Sequence, residues 1–235
     1  MIKREIINAY KRIVDEGLVI LTWGNVSARE NENIYITPSG MSLPDLFNEW
    51  NQPDSNKVVK VGLDGSVDKS QLKPSVDTDI HLEIYNNFER VGCVIHTHSQ
   101  YATSFAQAKQ SIPCLGTTHA DYFYGDIPVV DDLTEDEINN NFEKNIGKKV
   151  VDFYSKNAVN YLDMKAVLMP NHGSLVWGES IQEAVENAIV LEEVAKMTYR
   201  SLNLINIKNN GEMDKNLLDK HFLRKHGDKK YYGQK

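Results

Sequence analysis

A mixed α/β fold is what this sequence predicts, and three observations carry the prediction. Short apolar or alternating runs, Asn33 to Thr37, Val91 to Ile95 and Ala166 to Met169, have the length and period of strands. Between and around them lie stretches whose apolar residues recur every three or four positions, as in Ile2 to Val14, Ile80 to Phe88 and Ile181 to Leu202. The 235 residues are 41% hydrophobic and 25% charged, an ordinary balance for a chain that buries a core, in one large domain or two small ones.

Charge and cysteine content narrow the class. A net charge of -7 argues against duplex nucleic acid as a partner, because such binders cluster Lys and Arg to replace phosphate counterions. An anionic substrate must then be held by local groups. Cys93 and Cys114 are the only cysteines, which fits a reducing compartment and no disulfide framework. MIKREIINAYKRIVDEG has no uninterrupted apolar core, and no stretch approaches a membrane span. The expectation is a cytoplasmic, enzyme-sized chain with neither membrane nor nucleic-acid partner.

The elements follow in order. Ile2, Ile6, Tyr10, Ile13 and Val14 line one face of a first helix, and Gly17 stands where a left-handed residue would end it. Gly24-Asn25 reads as a turn or as an oxygen-liganding loop, since Asn offers donors and an acceptor on a short stem. Ile34 and Ile36 alternate inward along a strand that runs into Pro38-Ser39-Gly40, an everyday turn or a cradle of N–H groups for an anion. Met41 to Asn56 is an irregular excursion, and Val58 to Val67 a strand, an Asp64-Gly65 turn and a short return. Lys73-Pro74-Ser75-Val76-Asp77 opens a helix; Ser75 and Asp77 there suit plain capping, or equally a phosphate and an ionised carboxylate at the positive helix end.

The stretch VGCVIHTHS ends a buried strand in His96-Thr97-His98. Side chains alternate along a strand, so His96 and His98 point the same way, and two imidazoles from one rigid element make half of a transition-metal site. Tyr101 to Ala108 is helical in pattern. Gly116-Thr117-Thr118-His119-Ala120-Asp121-Tyr122 is dense in donors and acceptors, and Asp121 beside Tyr122, Phe123 and Tyr124 is a candidate for acid/base work. Thr134 and Glu137 form a capping box, and Val150 to Tyr161 a further helix. Ala166 to Met169, Asn171-His172-Gly173 and Ser174 to Trp177 make a tight hairpin with His172 at its tip. His172 is the natural third imidazole; with Asp77 the set suits Zn, Mn or Co better than Ca. Ser180 and Glu183 cap the long helix to Leu202. The tail from Leu217 to Gln234 is basic and aromatic, and Tyr231, Tyr232 and His221 are costly residues for a frayed end.

These stretches together resemble one family. LTWGNVSA, TPSG, KPSVDT, VIHTHS, AQAKQSIPCLGTTHADYFYG, the Asn-His-Gly turn, NAIVLEEVA and LLDKHFLRKHGDKKYYGQ make the chain similar, over nearly its whole length, to the class II aldolase/epimerase superfamily and within it to the L-ribulose-5-phosphate 4-epimerases. The resemblance implies one domain over residues 1–235, a three-layer α/β/α fold with a central, largely antiparallel sheet, and a homotetramer of four-fold cyclic symmetry with active sites between neighbours. It implies that Asp77, His96, His98 and His172 hold a divalent metal, usually Zn2+, or Mn2+ or Co2+ in its place. Asn25, Ser39, Gly40 and Ser75 fall where the family binds phosphate. Thr117, Asp121 and Tyr232 fall where an adjacent subunit supplies proton-transfer and positioning groups; Glu143 and His221 are weaker matches.

The implied substrate is a pentulose phosphate and the implied reaction a retro-aldol epimerisation, breaking and remaking the C3–C4 bond of L-ribulose 5-phosphate with Asp121 and Tyr232 as the two acid/base groups. Thr37 and Val76 depart from the pattern, where the epimerases carry Lys and Ser, and both departures weaken the expected phosphate site. A dihydroxyacetone-phosphate aldolase is the nearest alternative; it would carry Glu in place of Asp77 and lack the YYGQ ending. A non-catalytic metal-binding protein would have no use for Asp121 and Tyr232.

Overall fold

The computed structural model describes residues 1–48, 51–204, 213–228 and 230–232. Gly233 and Gln234 of the YYGQ ending lie outside the described residues. Six strands, β1 (Gly24–Glu30), β2 (Asn33–Ile36), β3 (Val59–Gly62), β4 (Cys93–Thr97), β5 (Ala166–Met169) and β6 (Gly173–Gly178), form one sheet in the order β3-β2-β1-β4-β6-β5. Every neighbouring pair is antiparallel. β4 and β6 are interior strands, each paired on both sides, and are buried along their whole length.

Helices cover both faces. On one, α1 (Ile2–Asp15), α3 (Gln100–Gln107) and α7 (Ile181–Leu204) pack on the sheet and on one another. On the other, α2 (Thr78–Asn87) and α6 (Phe142–Lys156) pack together. Phe88, Tyr154, Tyr161 and Trp177 form an aromatic cluster beneath them, with Phe88 stacked on Tyr161 at a centroid distance of 4.5 Å. The α/β fold class and the antiparallel sheet match the sequence reading.

Some boundaries differ. The helix expected over Val150 to Tyr161 is α6, which begins at Phe142 behind a left-handed Asn141 and stops at Lys156, with Ala158 left-handed at φ 52°. Within Gly116 to Tyr122, Thr117–Ala120 is a single helical turn, α4, held because His119, Ala120 and Phe123 are buried. His119 Nε2 donates to the Gly125 carbonyl at 2.9 Å, and burial pushes its imidazole down to about 4. The capping box gives α5 (Glu135–Asn139), and the tail forms α8 (Lys215–His226), anchored by Phe222 against Tyr124. Gly17 has φ 75°, the left-handed stop expected after α1. The expected return strand at Val67 is a single bridge to Val61.

Candidate metal centre and active site

The antiparallel register delivers three imidazoles to one point. His96 is on β4 opposite Leu175 of β6, and the β5–β6 turn, with Asn171 left-handed at φ 57°, sets His172 beside it. Ligand atoms of His96, His98 and His172 all lie within 4.8 Å of one another. Their rings meet edge to face at centroid distances of 4.7 to 5.0 Å. Thr97 points the other way, its hydroxyl 3.1 Å from that of Ser174.

The protonation states suit a metal. His96 Nδ1 sits 2.9 Å from the Ser174 carbonyl, which can only accept, so Nδ1 carries the proton and the Nε2 lone pair faces the other histidines. His98 Nε2 is 2.9 Å from that nitrogen. Burial, reinforced at His96 and His98 by the neighbouring imidazoles, pushes all three below the usual histidine range and keeps them neutral at pH 7. Neutral imidazoles with converging ring nitrogens, the His98 Nε2 proton being the one a bound ion would displace, are the donor set of a zinc-type site.

Asp77 stands at the rim of this cluster. It occupies the residue before α2, but its carboxylate caps nothing. Instead Oδ2 accepts from Asn25 Nδ2 at 2.6 Å and lies 3.9 Å from His96 Nε2. The capping alternative is thereby set aside for Asp77. Asn25 is itself paired across the sheet with His96, so strand register fixes this contact. At His172 burial outweighs the opposing pull of the Asp77 carboxylate and, after it, of Glu143 at the start of α6.

A glycine holds the hairpin against the triad. A Cβ on Gly173 would sit 2.6 Å from the Thr97 carbonyl oxygen and 3.1 Å from His96 Cε1. Gly173→Ala is expected to lower stability by about 1–3 kcal/mol through overpacking and to shift His172 off the cluster, read as a lower melting temperature together with a loss of bound metal. A variant as stable and as metal-replete as the parent would contradict the packing described.

The two turns expected to bind phosphate lie side by side. Pro38 bridges Pro74, Ser39 N–H donates to the Lys73 carbonyl at 3.0 Å, and Ser75 N–H donates to Thr37 at 3.1 Å. Ser39 and Gly40 are exposed, Gly40 at φ 69°, whereas Ser75 and Asn25 are buried. The Thr37 hydroxyl is turned into the sheet, where it accepts from Val26 N–H. On the far side of His172 is a cavity of about 380 Å3 walled by Val130, Leu133, Phe142, Ile146 and Met169. Apolar walls of this kind suit a sugar phosphate less well than the polar turns do.

A second cluster gathers the remaining expected residues. Asp121 follows α4 one turn after Thr117, and α8 closes over it. Arg224 grips the Asp121 carboxylate with two donors, Nε at 3.0 Å and Nη2 at 2.6 Å, and His221 Nδ1 lies 3.1 Å from the same group. The Arg224 guanidinium also lies 4.8 Å from the Tyr232 ring centroid, and its carbonyl accepts from the Tyr231 and Tyr232 amides. Asp121 is thus held in a cationic clamp rather than against bare aromatic surface. Sequence reasoning missed Arg224; its one signal was a spacing of three from His221, which puts both on one helix face. Among the described residues, no hydrogen bond, ion pair or ring contact joins Thr117, Asp121 or Tyr232 to the three histidines.

The same architecture occurs in known proteins. The family model described as Class II Aldolase and Adducin N-terminal domain matches residues 4–199. The L-ribulose-5-phosphate 4-epimerase UlaF of Salmonella paratyphi B (strain ATCC BAA-1250 / SPB7) is 40% identical over 236 residues, an alignment covering 100% of this chain and 99% of that one. A solved L-fuculose 1-phosphate aldolase superimposes with a TM-score of 0.75 at 22% identity, covering 94% of this chain and 93% of its own. The L-fuculose-1-phosphate aldolase of Thermus thermophilus does so at 0.65 and 20% identity, over 85% and 94%.

Proposed function

This chain belongs to the class II aldolase family, and from that premise we propose that it is an L-ribulose-5-phosphate 4-epimerase, interconverting L-ribulose 5-phosphate and D-xylulose 5-phosphate. The observation that carries the reading is the full-length 40% identity to an epimerase of that name. The carboxylate at Asp77, rather than a glutamate, and the basic aromatic tail add to it.

His96, His98, His172 and Asp77 would hold the divalent ion, Zn2+ by their chemistry, with Mn2+ or Co2+ as substitutes. Bound there, the ion would act as a Lewis acid on the C2 carbonyl and C3 hydroxyl oxygens of the substrate. Ser39, Gly40, Ser75 and Asn25 would take the phosphate. Ser75 Oγ accepts from the Asp77 amide at 3.3 Å, which leaves its hydroxyl proton for an anion. Cleavage of C3–C4 gives glycolaldehyde phosphate and a three-carbon fragment; the aldehyde turns and is re-added through its other face. The C4 oxygen then lies on opposite sides before and after, so one group must take its proton and another return it. Asp121 and Tyr232 are the pair assigned, with Thr117 positioning and His221 alongside.

Among the described residues of one chain no hydrogen bond, ion pair or ring contact joins these groups to the triad, and Tyr232 is largely exposed. Both facts support sites shared between neighbouring subunits of a homotetramer. The single-domain reading for 1–235 and a cytoplasmic location belong to the same proposal. No helix among the described residues is long and apolar enough to cross a membrane.

The test is a coupled assay for D-xylulose 5-phosphate formed from L-ribulose 5-phosphate by metal-loaded protein. Steady turnover is expected. A protein inactive there that instead joins dihydroxyacetone phosphate to an aldehyde would be an aldolase, and the loss of Lys at Thr37 and of Ser at Val76 would become relevant to the change.

A further inference from the structure

One face of β1 is laced to one face of α2 by polar side chains. Asn25, Ser27 and Arg29 alternate onto the same side of the strand, and Asp77, His81 and Tyr85 lie one helical turn apart. Asn25 donates to Asp77 at 2.6 Å. The Ser27 hydroxyl lies 2.7 Å from His81 Nδ1 and 2.8 Å from the Tyr85 hydroxyl. Arg29 Nη2 donates to the Tyr85 carbonyl, Nη1 reaches Glu89 O at 3.0 Å, and the guanidinium lies over the Tyr85 ring at 5.1 Å. The two repeats are nearly commensurate: two strand residues advance about 6.8 Å and four helical residues about 6 Å. Side chains at 25, 27 and 29 can therefore meet those at 77, 81 and 85 in register.

Packing alone does not call for this arrangement. Ser27 and His81 are fully buried and Tyr85 nearly so, and the other flank of α2 already packs on α6. Apolar contacts are non-directional and tolerate sliding, whereas hydrogen bonds fix both the rotation and the axial position of a helix. His81 also buries its second nitrogen, Nε2, without a partner among the described residues, a cost that a purely packing side chain would not carry. The rungs point at the candidate metal centre. Asn25 is the strand partner of His96, and His81 lies one turn beyond Asp77.

We propose that Ser27, His81 and Tyr85 are positioning residues for the metal centre, holding α2 in the register that sets the Asp77 carboxylate against His96. The ladder converts strand register, which already fixes His96, into a fixed place for a ligand that comes from a different element. This inference rests on the metal reading of Asp77 and the three histidines.

The experiment compares the parent with Tyr85→Phe, His81→Leu and His81→Gln, reading Zn2+ affinity by competition with a chromogenic chelator, the visible absorption of the Co2+-loaded protein, and the melting temperature. Outer-sphere partners are typically worth 10–100-fold in metal affinity. Tyr85→Phe and His81→Leu are expected to weaken Zn2+ binding about tenfold or more and to alter the Co2+ bands, while His81→Gln, which can still bond Ser27, recovers most of the affinity. If His81→Leu does not fold, Tyr85→Phe, which removes one oxygen, decides alone. Folded variants with parental affinity and parental Co2+ bands overturn the ladder but leave the metal reading standing. A parent that takes up no Zn2+ overturns that reading, and the ladder with it.

Discussion

Purified His98→Ala protein is expected to keep its fold, to lose stoichiometric Zn2+, and to epimerise L-ribulose 5-phosphate at least about 1,000-fold more slowly. The expectation follows from where His98 sits. It lies just past the end of β4 and is part-buried, and among the described residues its one side-chain hydrogen bond runs to His96 Nε2. Removing it therefore takes little from the core and takes one of three neutral donors from the cluster. A Lewis acid contributes several kcal/mol to stabilising developing charge, and about 1.4 kcal/mol is a factor of ten, so a loss of three decades is the natural scale. Metal content by elemental analysis and kcat/KM, with circular dichroism as the fold control, test it. Retention of a full equivalent of Zn2+, or activity within tenfold of the parent, would contradict the site.

Asp121→Asn separates the second cluster from the first. This change is expected to lower kcat by roughly 100- to 10,000-fold, the range for loss of a general acid or base, while Zn2+ content stays at one equivalent. The amide is nearly isosteric, but it cannot take up a proton as the carboxylate does, and it offers Arg224 a single acceptor where the carboxylate gives two. An unchanged kcat would remove Asp121 from the reaction and leave the clamp as a fastener between α4 and α8. A loss of metal along with activity would show the two clusters to be less separate than their contacts indicate.

Much of this was legible in the sequence, for local reasons. His96 and His98 share a face because a strand alternates, and the Asn-His-Gly turn between two apolar runs placed His172 at a hairpin tip. What pairs with what was harder to read. Nothing in the spacing of residues 24 to 30 says that β1 lies between β2 and β4, yet that placement gives Asp77 its partner Asn25. The same holds for Asp121 and Arg224, whose sequence separation of 103 leaves no local signal. The start of α6 was missed because Phe142 to Lys149 carries few apolar residues, and its end because Ala158 turns left-handed where the apolar pattern continues. The polar composition of Gly116 to Tyr122 carries no helical period. Burial of His119 and Phe123 overrode that composition and wound a helical turn.

The central claim is that the C4 centre is inverted by breaking and remaking C3–C4, and its most direct test is proton NMR of the metal-loaded protein turning over L-ribulose 5-phosphate in D2O. The account predicts D-xylulose 5-phosphate with hydrogen retained at both C3 and C4, because no step removes a proton from carbon. Deuterium at C3, or product inverted at C3, would mean that a base abstracts the proton next to the carbonyl, and would contradict the retro-aldol account.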